Sequence, residues 1–260
     1  FRHHHSIHHG NYALLIATLL FFSLVLSSCK KQIEDSYLSN EIKQTIRSLG
    51  FSTQDLQQIE NGYIVEGDIF LSKEDLERSP QNIYLNIAQG EQYRTFDFVI
   101  GLPRTITVSL SSNLPSVYGA SVDEAIKRYN DENLQIRFLR VSGDADIMIS
   151  KGIGNFYAFS SFPDRTGKVF RFIKLNPVYI GKGNETTIFK NYLATIITHE
   201  IGHCIGFRHT DYMNRAYSCG GSAVNEGASN VGAVHIPGTP TGPDPNSWML
   251  SCIASTTAQA

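Results

Sequence analysis

The chain of 260 residues is 42% hydrophobic and carries a formal net charge of −2 at pH 7. That apolar content can bury one good core and a smaller module. The near balance of charge argues against a nucleic-acid partner or a basic membrane-binding face.

The opening Phe1–Gly10 contains five histidines and no initiator methionine. With no carboxylate at helical spacing these histidines form no site, and the segment reads as upstream translation or part of an incomplete gene. The apolar run Tyr12–Leu26 is too short for a comfortable transmembrane helix. It ends in Leu26-Ser27-Ser28-Cys29, which resembles a bacterial lipobox. Cleavage before Cys29 and lipidation of its thiol would tether the mature protein to a membrane; a plain secretory signal or an uncleaved anchor are the alternatives. Residues 1–29 are therefore expected to be a lipoprotein signal segment. The protein is expected to be lipid-anchored in a bacterial cell envelope, on its periplasmic or cell-surface face.

A polar tether and a small module follow over residues 30–100. A helix is predicted for Leu38–Leu49, with Ile42, Ile46 and Leu49 on one face. Tyr63–Leu71 reads as one strand, and Ser72–Leu76 starts a short helix. Gly101-Leu102-Pro103 marks the boundary to a second domain, residues 101–260. There Thr105–Leu110 alternates as a strand, and Ser121 with Glu124 forms a capping box opening a helix. Gln135–Val141, Asp146–Ser150, Phe156–Ser160 and Val169–Leu175 read as four more strands. Strand-helix-strand order with one later antiparallel strand predicts an α/β (α+β) fold with a mixed, twisted sheet.

Thr186–Ile205 is predicted to be a helix, with Leu193, Ile197, Ile201 and Cys204 on its apolar flank. At its end stands His199-Glu200-Ile201-Gly202-His203-Cys204-Ile205-Gly206-Phe207-Arg208-His209, a match to H-E-x-x-H-x-x-G-x-x-H. Histidines four apart rise from one helix face and can share a metal. Gly206 allows the sharp exit that brings His209 back as a third imidazole. Three neutral nitrogens with one open position describe a catalytic Zn2+ site, and Glu200 is placed to act on its water as general base.

This motif resembles that of the metzincin clan of zinc endopeptidases, and His199-Glu200-Ile201-Gly202-His203 with Phe207–Tyr212 resembles the bacterial dual-action HEIGH metallopeptidases. The resemblance implies a metzincin-like catalytic domain, a methionine turn under the metal and an antiparallel edge strand that binds extended substrate. Met249 is the methionine expected in that turn, because Met148 lies in a strand and Met213 is too close to His209. Phe156–Ser160 is the expected edge strand. The clan normally continues with a further helix, so the chain, ending at Ala260, is expected to be C-terminally truncated. Astacins place a glutamate after the third histidine and a tyrosine two residues past the methionine. Here those positions hold Thr210 and Ser251, which leaves Tyr212 or Tyr217 as the only substitutes in principle.

Glu66-Gly67-Asp68-Ile69 is similar to the F-x-G-D-I segment of astacin pro-peptides, without its aromatic-led start. The resemblance implies that Asp68 ligates the metal and holds the enzyme latent, residues 30–100 then being a pro-module. With Cys29 lipidated, Cys204, Cys219 and Cys252 remain. One disulfide is permitted outside the cytoplasm. The favoured pair is Cys219 with Cys252, in loop-like segments flanking a long insertion, and a bridge using Cys204 is the alternative. The function expected is zinc-dependent hydrolysis of peptide bonds in a protein or peptide substrate. The competing reading is a non-catalytic zinc-bearing envelope lipoprotein that binds peptides or glycans. Such a protein would have no use for Glu200.

Overall fold

In the computed structural model, which describes residues 40–77, 92–227 and 232–253, the segment 63–71 is a hairpin and not one strand. Glu66 and Gly67 adopt left-handed backbone, φ 55° and 94°, which reverses the chain where its composition alone reads as continuous strand. The chain divides into two compact units, residues 1–45 and 46–260. Residues 40–48 are helical (α1), so the predicted first helix is present within the described range. Cys29 and the signal segment lie outside the described residues.

Gln57–Ile59 (β1), Gly62–Val65 (β2) and Ile69–Ser72 (β3) form an antiparallel three-stranded sheet. Ser72 caps the short helix Lys73–Leu76 (α2) in a capping box with Asp75. The tip of the β2–β3 hairpin carries Asp68, whose amide bonds back to the Val65 carbonyl at 3.3 Å.

Tyr93–Arg94 (β4) is a two-residue strand, and Arg104–Leu110 (β5) opens the main sheet. The helix Tyr118–Asp131 (α3) starts a turn before the predicted capping box. Ser121 is buried inside it, and Glu124 reaches Arg128 and Lys190 instead, at 3.6 and 3.3 Å. The chain enters that helix through turns at Pro115 and Ser116, whose carbonyls accept from Tyr118 and Gly119, so no side-chain cap is needed.

Ile136–Arg140 (β6), Ile147–Lys151 (β7), Ala158–Phe159 (β8) and Phe172–Leu175 (β9) complete a sheet of order β6-β5-β7-β9-β8. All its pairs are parallel except β8 with β9, so the one antiparallel strand is an edge. The expected edge strand is thus present, though shorter than Phe156–Ser160. Asn176 caps the turn Pro177–Ile180 (α4), and Thr186 caps the long helix Thr187–Ile205 (α5).

Every residue of α5 from Leu193 to Ile205 is buried. Its second half is therefore enclosed on all sides, where the sequence predicted one apolar flank. Val108, Ile149, Ile173, Ile197 and Ile201 meet in the core between α3, α5 and the sheet. Each such side chain contributes about 1.5–3 kcal/mol on burial, enough to fix the helix rigidly. After α5 the chain is mostly irregular, with one turn of helix at Ala216–Cys219 (α6) and a strand at Val234–His235 (β10) that pairs with β4.

Candidate metal centre

The two histidines four residues apart in α5 present their Nε2 atoms 3.0 Å from one another. Gly206 ends the helix at φ 113°, a left-handed conformation open to glycine at little cost. A Cβ there would also meet Phe98 at 2.7 Å. The chain then turns back and sets His209 beside the pair, its ring 5.2 Å from His199 and 4.9 Å from His203.

Asp68 fills the remaining side. Its Oδ2 is 3.1 Å from His199 Nε2 and 3.2 Å from His209 Nε2, and its Oδ1 is 3.9 Å from His203 Nε2. The four ligand atoms lie within 4.8 Å of one another. A tetrahedral zinc with bonds of about 2.0–2.1 Å has edges of about 3.3–3.4 Å, close to these separations.

The tautomers agree with a cation there. His199 Nδ1 lies 2.7 Å from the Trp248 carbonyl, and His203 Nδ1 lies 2.8 Å from that of Phe207. A carbonyl only accepts, so each Nδ1 carries the proton and each Nε2 offers a lone pair. Glu226 serves His209 Nδ1 in the same way at 2.9 Å. The lone pairs converge with Asp68, whose buried Oδ1 has no hydrogen-bond partner among the described residues. Such a donor set fits a metal ion and leaves those acceptors unsatisfied without one.

The electrostatics reflect that concentration of groups. Burial lowers the His203 imidazole well below its usual range, helped by His199. Burial acts against His209 too, but Glu226 and Asp68 together lift it well above the usual range. Asp68 is held well down, because His209 and His199 outweigh its own burial. Glu200 is pushed well up, first by burial and then by the charge of Asp68.

Glu200 sits beside the ligands, and its Oε2 accepts from the Ser160 hydroxyl at 2.6 Å. Ser160 follows β8 directly, so the edge strand also orients the glutamate. A cavity of about 560 Å³ opens on this point; Asp55, Asp68, Tyr157, Tyr192, Glu200 and Arg215 are among its lining residues. Tyr212 packs edge-on against Tyr93 instead, and Tyr217 is exposed. The tyrosines that line this cavity are Tyr157 and Tyr192, which spacing relative to the motif did not indicate.

Met249 is fully buried beneath the ligands. Its sulfur would stand 2.4 Å from a Cβ added to Gly202, so the glycine of the motif is the residue that lets the methionine approach. The Trp248 carbonyl that holds His199 and the Met249 carbonyl that accepts from Thr210 N at 2.8 Å tie this turn to both sides of the site. Cys219 and Cys252 are disulfide-bonded, with Cα atoms 5.1 Å apart, and Cys204 is a buried free thiol.

Sequence comparison assigns the chain. Residues 63–259 match the model of the dual-action HEIGH metallo-peptidases. The chain belongs to this metallopeptidase family. A search of the curated proteins returned no match. Among solved structures, one of myroilysin shares 19% identity over 43% of this chain and 45% of its own, with a TM-score of 0.32. The chain thus spans less than half of that protein. A second structure of myroilysin is similar at 16% identity over 59% and 72%, with a TM-score of 0.37. A hatching-enzyme zinc protease of the medaka fish Oryzias latipes gives 21% identity over 56% and 66%, with a TM-score of 0.33. The family is one of metallopeptidases, and the histidine-rich centre of this chain is suited to a metal.

Proposed function

We propose that this metallopeptidase is a zinc endopeptidase, captured with its fourth ligand position taken by its own Asp68. The observation that carries the reading is the convergence of three imidazole Nε2 atoms on one aspartate carboxylate. His199, His203 and His209 would hold the zinc. Zinc bound there supplies Lewis acidity, polarising a scissile carbonyl and bringing the pKa of a water molecule down to about 7.

Glu200 acts as general base and then general acid: its carboxylate takes a proton from the water and passes it to the departing amine. The Ser160 hydrogen bond fixes the orientation of that carboxylate. Burial is the larger cause that raises Glu200 and the charge of Asp68 adds to it, so withdrawing Asp68 removes only the second of these.

The hairpin also competes for the substrate strand. Phe70 N donates to the Ser160 carbonyl at 2.7 Å, and Ser160 N donates to the Asp68 carbonyl at 3.0 Å. Residues 68–70 thus run beside the end of β8 in parallel, along the edge where an extended peptide would pair its backbone. Latency then has two physical components, a filled ligand position and a covered edge. Cutting near Gly101 would lift both and, with Cys29 lipidated, free the enzyme from the membrane in one event.

The test compares peptide-library cleavage by the uncut chain and by Asp68→Ala. The variant is expected to be active without cutting and to gain nothing more when the first hundred residues are removed. Equal activity of the two uncut proteins would contradict the latent state.

A further inference from the structure

No spacing rule in the sequence points to Glu226, yet it is buried directly behind the third histidine. His199 and His203 give their Nδ1 hydrogens to main-chain carbonyls. At Nδ1, His209 alone of the three faces a carboxylate, with Glu226 Oε2 at 2.9 Å and Oε1 at 3.1 Å.

The difference follows from where the rings are mounted. His199 and His203 stand on a rigid, enclosed helix. His209 comes three residues after Gly206, on irregular chain, and a ring there needs a side-chain anchor. Glu226 is fitted for that work. Its amide donates to the Tyr212 carbonyl at 2.8 Å, and Arg215 N donates to the Val224 carbonyl at 2.9 Å, which pins its loop beside His209. The Ser251 hydroxyl lies between two carboxylates, 2.8 Å from Asp211 Oδ1 and 3.1 Å from Glu226 Oε1.

A rival account makes Glu226 merely the counter-ion of two arginines. The distances weigh against it. Arg208 and Arg215 approach only to 3.8 Å each, beyond hydrogen-bonding range. Arg208 gives its Nη2 hydrogens to Glu66 at 3.0 Å and to the Gly227 carbonyl at 3.2 Å. The close contact of Glu226 is with the imidazole.

We propose that Glu226 is the positioning residue of the metal centre: its carboxylate holds the proton on His209 Nδ1, fixes the ring and keeps Nε2 free and basic toward the metal. The proposal rests on the reading of the three histidines as zinc ligands. A carboxylate behind an imidazole ligand strengthens it as a donor, and loss of such a partner typically weakens metal binding by about 10–100-fold.

The experiment is a Zn2+ titration of the full chain against a chromophoric chelator, for wild type, Glu226→Gln and Ser251→Ala, with thermal unfolding of each metal-free protein beside it. Wild type is expected to take one zinc. Glu226→Gln should bind it about 10–100-fold more weakly, and Ser251→Ala should show a smaller loss. Unchanged affinity in Glu226→Gln would overturn the proposal, and a fall in thermal stability without a change in affinity would assign Glu226 to the arginines. Should Glu226→Gln not fold, ¹⁵N-resolved NMR of the wild-type histidine rings decides. A downfield, exchange-protected Nδ1 proton on His209 in the zinc form is expected, and an Nε2-protonated ring would overturn the proposal. A wild type that takes up no zinc would strike the ligand reading itself and this proposal with it.

Discussion

The metal centre is assembled from two regions that are held in different ways. His199 and His203 come from α5, where hydrogen-bonded backbone and an enclosing core set their positions. His209, Asp68 and Glu226 come from irregular chain and a hairpin tip, brought together by side-chain contacts across 17 and 141 residues of sequence. The first region is local and rigid before any partner arrives. The second is a buried electrostatic network whose members depend on one another. The Arg208 guanidinium sits 5.5 and 5.8 Å from the ring centroids of Phe51 and Phe162 with Glu66 at 3.0 Å, and burial raises the Glu66 carboxyl to about 8 against the pull of that guanidinium. Helices supply ligands cheaply, whereas long-range polar contacts decide what reaches them.

The largest expected effect lies in the rigid region. Glu200→Ala removes the proton-transfer group while leaving all three imidazoles in place, so zinc content should stay at wild-type level. Peptide cleavage by the cut enzyme should fall by about 10²–10⁴-fold, the usual contribution of general base catalysis. Comparable turnover in the two proteins would remove Glu200 from the mechanism.

The next effect breaks the other region. Arg208→Ala leaves the buried Glu66 without the guanidinium at 3.0 Å, and breaking a buried pair typically costs about 3–5 kcal/mol. Denaturant unfolding of the uncut chain should register it. A cost below about 1 kcal/mol, the range of exposed ion pairs, would mean that the network is not dry.

A smaller effect returns to the helix and sharpens the contrast. Gly202→Ala drives a methyl group into the sulfur of Met249 and should cost about 1–3 kcal/mol, as overpacked cores do. Adding Met249→Ala should recover part of that loss, because the two changes act on one contact. Strict additivity would show that the turn does not press on the helix.

The same division explains what the sequence made legible. The spacing His199, His203, Gly206 and His209 encodes helix geometry and a helix exit, so those residues and the α5 boundaries could be read directly, whereas the edge position of β8 was implied by the clan resemblance. Met249 followed from the clan resemblance. The hairpin at Glu66-Gly67 escaped because a non-glycine residue in left-handed backbone leaves no compositional mark. The start of α3 escaped because main-chain turns, and not Ser121, cap it. The pairing of β4 with β10 joins two-residue strands 140 positions apart, Arg94 with Val234, and no local pattern reports it. Glu226 and Ser160 carry no motif spacing. Only the fold shows that one backs the His209 imidazole and the other holds the Glu200 carboxylate.

Metal stoichiometry tests the central claim most directly. Elemental analysis of the dialysed chain and of His203→Ala should find about one zinc per chain in the first and far less in the second, because the site loses one of its three imidazole donors. Zinc at full stoichiometry in His203→Ala would contradict the account.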